Sequence, residues 1–128
     1  SLGPDHLALA TRAEPRTTSI PGLSNHTLAT VRSGLKRVVQ DPQGTGYKRV
    51  RLDGISIAGK TGTAEVGGNL EDHAWFAGYV PADNPRLAFV VVLEHAGSGG
   101  RMAGPLARRL VQSIQDSGLI GSSLTQAK

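Results

Sequence analysis

The clearest periodicity in the chain lies between Ser24 and Gln40, where Leu28, Val31, Leu35 and the pair Val38/Val39 recur at spacings of three and four. That spacing draws one apolar stripe along a helix, and Ser24 just ahead of it has the side chain of an N-cap. The helix should stop at "QDPQGTG", because Pro42 cannot continue the hydrogen-bond ladder and two glycines follow. Before it, residues 1–23 carry Pro4, Pro15, Pro21 and the polar cluster "RTTS" without a sustained period, which marks an extended lead-in segment. After it, Val50 and Leu52 alternate with Arg49, Arg51 and Asp53, and Ile55 and Ile57 flank Ser56, so the approach to "AGKTGTAEV" reads as extended.

"GGNLED" turns the chain, and "HAWFAGYV" and "RLAFVVVLE" follow as two strand-like stretches rich in aromatic and β-branched residues. The short connection "PADNP" favours an antiparallel pair, and the second stretch, apolar almost throughout, has the composition of a central strand. Beyond the bend "HAGSGG", Leu106, Leu110, Val111 and Ile114 predict a second amphipathic helix ending near Gly118, and residues 121–128 read as a flexible tail. A helix, three strands and a helix, without crossover helices between the strands, give an α+β class: an antiparallel meander with a preceding helix and a C-terminal helix packed on the sheet. No internal repeat is present.

Composition narrows the possible functions. A chain of 128 residues with 38% hydrophobic and 19% charged content is sized for one domain with a modest core, and 17 Gly and 7 Pro imply many turns. The net charge of +4 is scattered over Arg32/Lys36/Arg37, Lys48/Arg49/Arg51 and Arg101/Arg108/Arg109, the pattern of solvated faces. Only two Phe, two Tyr and one Trp occur, none interleaved with these bases, so the stacking platforms of single-strand nucleic-acid binding are missing. There is no Cys, hence no disulfide or thiolate chemistry. The longest apolar run, Leu87 to Leu93, is far short of the ~20 residues that span a bilayer. The opening "SLGPDHLALATR" lacks the layout of a signal peptide, so a membrane anchor is expected only outside this chain.

The chemistry concentrates in "GISIAGKTGT", residues 54–63, which can be parsed in two ways. Gly54 to Thr61 spells G-x-x-x-x-G-K-T, the pattern of a nucleotide-phosphate loop. Such a loop needs a helix starting at the Lys-Thr, with its positive end toward the phosphates. The residues after Thr61, Gly62-Thr63-Ala64-Glu65-Val66-Gly67-Gly68, start a helix poorly. The other parse is K-T-G-T on a strand. Lys60, Gly62 and Ala64 then face one side and Thr61, Thr63 and Glu65 the other. Lys60 could hold an anion there, and Gly62 removes a side chain that would keep a substrate backbone at a distance, so the strand could serve as a docking rail for an extended peptide. A lysine on a solvated strand beside a glycine bulge is the alternative that these letters leave open.

Around K-T-G the sequence resembles a known family. "AGKTGTAEV", then "DHAWFAGYVPADNPRLAFVVVLEHAGSGG" and "GPLARRLVQSI", are similar to the C-terminal part of a penicillin-binding protein transpeptidase domain, above all the monofunctional class B, penicillin-binding protein 2 type. "LATVRSGLKRVVQDPQGTGYK" resembles the helix and glycine turn ahead of the K-T-G strand in that family. The resemblance covers roughly residues 20–118 and implies that residues 24–120 belong to the penicillin-binding protein/serine β-lactamase-like transpeptidase fold. It also implies the activity: a serine attacks a stem-peptide D-alanyl-D-alanine, expels D-alanine and passes the acyl group to an amine. Lys60, Thr61, Gly62 and Thr63 would bind the substrate, Lys60 and the two hydroxyls holding its terminal carboxylate and Gly62 permitting close approach. The backbone N–H of Thr63 would be an oxyanion-hole donor. Stem peptides and β-lactams are the implied ligands, with no cofactor and no metal. The rest of the transpeptidase domain upstream and cell-elongation proteins are the implied partners. The implied location is periplasmic or extracytoplasmic, with an N-terminal membrane anchor outside this chain.

The family's other motifs, S-x-x-K and S-x-N, are not where its chemistry needs them. The one S-x-x-K, Ser33 to Lys36, falls in the middle of the first predicted helix, and no S-x-N or S-x-D occurs. The nucleophile and its lysine are therefore expected upstream, and the chain alone should be inactive. His6, His26, His73 and His95 show no metal-ligand spacing; His73 and His95 read as hydrogen-bonded residues at strand ends. "GSGGRMAG" reads as a plain strand-to-helix turn rather than a phosphate site. Two alternatives remain open: a non-catalytic, substrate-sensing remnant of the same fold, and a nucleotide-binding module using Gly54 to Thr61.

Overall fold

The computed structural model describes residues 14–121. The expectations for residues 1–13 and 122–128 lie outside the described residues. Six elements follow one another: α1 (Asn25–Gln40), α2 (Tyr47–Val50), β1 (Ala58–Ala64), β2 (His73–Val80), β3 (Leu87–Leu93) and α3 (Gly99–Asp116). The strands form an antiparallel sheet in the order β1-β2-β3.

Helix α1 begins as its sequence requires: Ser24 accepts the Thr27 N–H on its side chain at 3.0 Å. At the other end Asp41 caps the helix in an extended conformation, and its carboxylate accepts the N–H of Gln43 at 2.9 Å, bending the chain around Pro42. The return turn is strapped onto the end of α1 by the Gly46 N–H, which donates to the Val38 carbonyl at 2.9 Å. Gly44 lies so close to the carbonyl oxygens of Arg37 and Val38 that a Cβ there would collide with both.

Strand register places residues of alternate parity on the two faces of the sheet. Trp75 pairs with Gly62 on one side and Val92 on the other, while Phe76 pairs with Thr61 and Val91. The inner face carries Ala74, Phe76, Val80 and Phe89, and α3 lies across it with Ala103, Ala107, Val111 and Ile114 buried. Phe76 and Phe89 stack with ring centroids 5.9 Å apart. Burying a side chain such as Phe76, which has no exposed surface, contributes about 1.5–3 kcal/mol. On the outer face Trp75, Val90 and Val92 remain 39%, 57% and 41% exposed.

Three expectations need correction. The stretch expected to be extended from Arg49 is not so at its start. Tyr47–Val50 forms a helical turn packed on α3, and Leu52 and Ile55 then close a tight bridge around Gly54, whose φ is +82°. The apolar run Leu87–Leu93 is not central: β2 is the middle strand, and β3 borders the sheet of the described residues with its outward valines in solvent. The buried stripe of α3 is only partly the one that large residues suggest, with Val111 and Ile114 buried as expected. Leu106 and Leu110 are exposed at 38% and 37%, whereas Ala103, Gly104 and Ala107 face inward, and their small size lets the helix settle close to the sheet and to α2.

Candidate functional site

Lys60, Thr61, Gly62 and Thr63 occupy the middle of β1, which among the described residues has a sheet neighbour on one side only. The alternation is as the sequence implies. A Cβ on Gly62 would lie 3.4 Å from Cβ of Trp75 on the outer face, while Thr61 and Thr63 turn toward the N-terminus of α3. The Thr63 hydroxyl accepts the N–H of Gly99, the first residue of α3, at 3.1 Å. Gly99 has no room for a side chain, since a Cβ would strike the Gly62 carbonyl oxygen and sit 2.7 Å from its carbon. The helix therefore abuts the strand backbone directly, with its positive end beside Gly62 and Thr63.

Lys60 is exposed and folds along its own strand, its Nζ donating to the Thr61 carbonyl at 2.8 Å and reaching the Thr61 hydroxyl at 3.5 Å. That hydroxyl also meets Thr45 Oγ1 at 3.2 Å. A cavity of about 420 Å³ opens along this edge, and its wall combines Lys60, Thr61 and Thr63 with Arg49, Ser98 and Arg101. No carboxylate among the described residues lines it. Among the described residues Arg49, Lys60 and Arg101 make no ion pair. Three cations, the four hydroxyls of Thr45, Thr61, Thr63 and Ser98, and a helix N-terminus, with no acid among the described lining residues, make an environment that favours an anion.

The phosphate-loop parse fails on this geometry, because Lys60 and Thr61 lie inside a strand and no helix starts there. Ser33 is exposed on α1, and its partner in the motif, Lys36, instead pairs with Asp83 at 2.6 Å, tying the helix to the β2–β3 turn. Among the described residues no group of three or more His, Asp or Glu is arranged to hold a metal. His73 accepts the His95 backbone N–H on Nδ1 at 3.0 Å, and the His95 ring meets the Glu71 carbonyl at 3.1 Å. The two rings stand 4.7 Å apart, a pairing across the sheet end that sequence spacing does not reveal. Thr45, Arg49, Ser98 and Arg101 are site residues that sequence reasoning missed. The only trace of Thr45 was its place between the two glycines of the turn before β1.

The sequence model described as the penicillin-binding protein transpeptidase domain matches residues 7–112. The chain belongs to the penicillin-binding protein transpeptidase family. Its relatives include the peptidoglycan D,D-transpeptidase MrdA of Haemophilus influenzae, 40% identical over 92 residues, which are 61% of this chain and 14% of that protein. Penicillin-binding protein PbpB of Mycobacterium tuberculosis is 40% identical over 110 residues, 73% of this chain and 16% of that one. Among solved structures, Pseudomonas aeruginosa PBP2 in complex with WCK 5153 superposes with a TM-score of 0.66 at 31% identity, covering 80% of this chain and 22% of that chain. PBP2 of Helicobacter pylori in complex with MreC gives a TM-score of 0.67 at 29% identity, covering 76% and 19%. The chain thus spans only a minor part of the transpeptidases that it matches. Among the described residues no helix is long and apolar enough to cross a membrane.

Proposed function

We propose that this chain is one wall of the active site of a peptidoglycan D,D-transpeptidase, the C-terminal part of a domain whose serine nucleophile and its lysine lie upstream. The observation that carries this reading is the cavity along β1, where Lys60, Thr61 and Thr63 converge with Arg49, Arg101 and the N-terminus of α3. A peptide ending in D-alanyl-D-alanine would lie along the strand with its terminal carboxylate against the Lys60 ammonium and the hydroxyls of Thr61 and Thr63. The Thr63 hydroxyl is suited to this because it already accepts from Gly99, which leaves its own proton to donate. Gly62 gives the peptide backbone room, and the Thr63 N–H is assigned as an oxyanion donor for the tetrahedral intermediate.

The upstream serine would attack the penultimate D-alanine carbonyl, and D-alanine would leave. An amine of a neighbouring stem peptide would then take the acyl group and restore the serine. A β-lactam would enter by the same contacts and stop at the acyl-enzyme. No cofactor or metal has a role. The setting is periplasmic or extracytoplasmic, with a membrane anchor upstream, and cell-elongation proteins are the candidate assembly partners.

The test is β-lactam acylation of the full transpeptidase containing this chain, wild type against Lys60→Ala. Loss of a charge-assisted contact should slow acylation roughly 10- to 100-fold. An unchanged rate would remove Lys60 from the carboxylate site and the reading with it.

A further inference from the structure

We propose that Thr45 is a positioning residue for the carboxylate-binding hydroxyl of Thr61, setting which way that hydroxyl points its single proton. This inference rests on the transpeptidase reading and adds a residue to its site.

The two hydroxyl oxygens are 3.2 Å apart, and in the unliganded site either can donate. A carboxylate only accepts, so Thr61 must give its proton to an arriving carboxylate. The bond between the threonines then survives in one direction only, Thr45 O–H to Thr61 Oγ1. Lys60 Nζ, 3.5 Å from the same oxygen, can only donate and drives the polarity the same way. The result is a short directed chain from Thr45 through Thr61 to the ligand, in which each bond strengthens the next.

The scaffold holds Thr45 for this role. Its turn is fastened to α1 by the Gly46 N–H on the Val38 carbonyl, and Gly44 on its other side fits only without a Cβ. Helix α1 is itself tied to the lead-in of β1 by Gln40 Nε2, which donates to the Ile57 carbonyl at 3.4 Å. At the N-terminus of α3, a Cβ added to Gly100 would lie 3.5 Å from the Thr45 carbonyl oxygen. Three elements thus bracket a side chain that is exposed and adds nothing to the core. Being β-branched, Thr45 also has few rotamers among which to lose this contact.

The experiment follows acylation of the full transpeptidase by intact mass, using a penicillin with its free carboxylate and the methyl ester of the same penicillin. Thr45→Val keeps the shape but cannot donate. It should acylate about five- to tenfold more slowly with the free carboxylate and lose distinctly less with the ester, which also accepts from Thr61 but as a neutral group and so more weakly. Thr45→Ser, which keeps the proton, should return the free-carboxylate rate to within about twofold of wild type. Equal loss on both ligands would mean a merely structural role and would overturn the proposal. So would no loss in Thr45→Val, or a serine variant that fails to recover. Failure of the transpeptidase reading looks different, because wild type would then acylate with neither compound.

Discussion

Replacing Gly99 with alanine should pry α3 away from β1. The added methyl would strike the Gly62 carbonyl oxygen and lie 2.7 Å from its carbon and 3.0 Å from its nitrogen, all backbone atoms that cannot rotate aside. Overpacking of this kind costs about 1–3 kcal/mol. Displacing the helix also breaks the Gly99 N–H bond to Thr63, a further loss of about 1 kcal/mol. Alanine's higher helix propensity offsets at most about 1 kcal/mol. The balance is a destabilisation of about 1–3 kcal/mol, or a melting temperature lower by roughly 4–15 °C for a domain of this size. Gly100 is the control, because a Cβ there would meet nothing nearer than the Thr45 carbonyl oxygen at 3.5 Å and Thr61 Cγ2 at 3.7 Å, so Gly100→Ala should melt at or slightly above wild type. Thermal unfolding by circular dichroism separates the two. A Gly99→Ala protein that melts with wild type, or equal losses in both variants, would refute direct backbone contact between α3 and the K-T-G strand.

Two further outcomes follow from charge and exposure. The carboxyl of Asp41 is held below its ordinary value of 3.8 chiefly by the Gln43 N–H, and that of Asp83 chiefly by the hydrogen bond from Lys36. Both contributions to stability are therefore present above pH 3.8 and fade as the pH falls through the lowered values. Carboxyl titration by NMR should show both midpoints below 3.8, and Lys36→Met should raise that of Asp83 alone; an Asp83 midpoint indifferent to Lys36 would show that the ion pair does not form in solution. The outer sheet face, with Trp75, Val90 and Val92 adjacent by register, should make the isolated 128-residue chain self-associate. Val90→Lys should reduce that association with little change in melting temperature, and a wild-type chain that sediments as a monomer at all concentrations would contradict the expectation.

What the sequence disclosed was set by how local each cause is. Helix α1 was legible because its cap, its stripe and its terminating proline are all written within a few residues of one another. Strands β2 and β3 were legible from aromatic and β-branched runs, and the alternation of Lys60 and Thr61 about β1 followed from the strand period. Helix α2 was not, because four residues carry no period and the turn is held by a contact back to Val38. The buried face of α3 was legible at Val111 and Ile114 but misread at Leu106 and Leu110, because large hydrophobes stand out in a sequence, whereas close packing in the first turns selected alanine and glycine. Val90 and Val92 made β3 look buried on both faces, although nothing among the described residues covers them. At the site, the K-T-G letters located the strand but not its surroundings. Thr45, Arg49 and Arg101 arrive from a turn, a short helix and the start of α3, and only the tertiary fold brings them to one cavity.

The central claim is that this chain supplies the substrate-binding wall while the nucleophile lies elsewhere in the same domain. The most direct measurement is the intact mass of the full transpeptidase and of the 128-residue chain after separate incubation with a β-lactam. One covalent adduct is expected on the full protein and none on the chain. An adduct on the chain itself would place a nucleophile among these residues, and no adduct on either would contradict a penicillin-reactive site altogether.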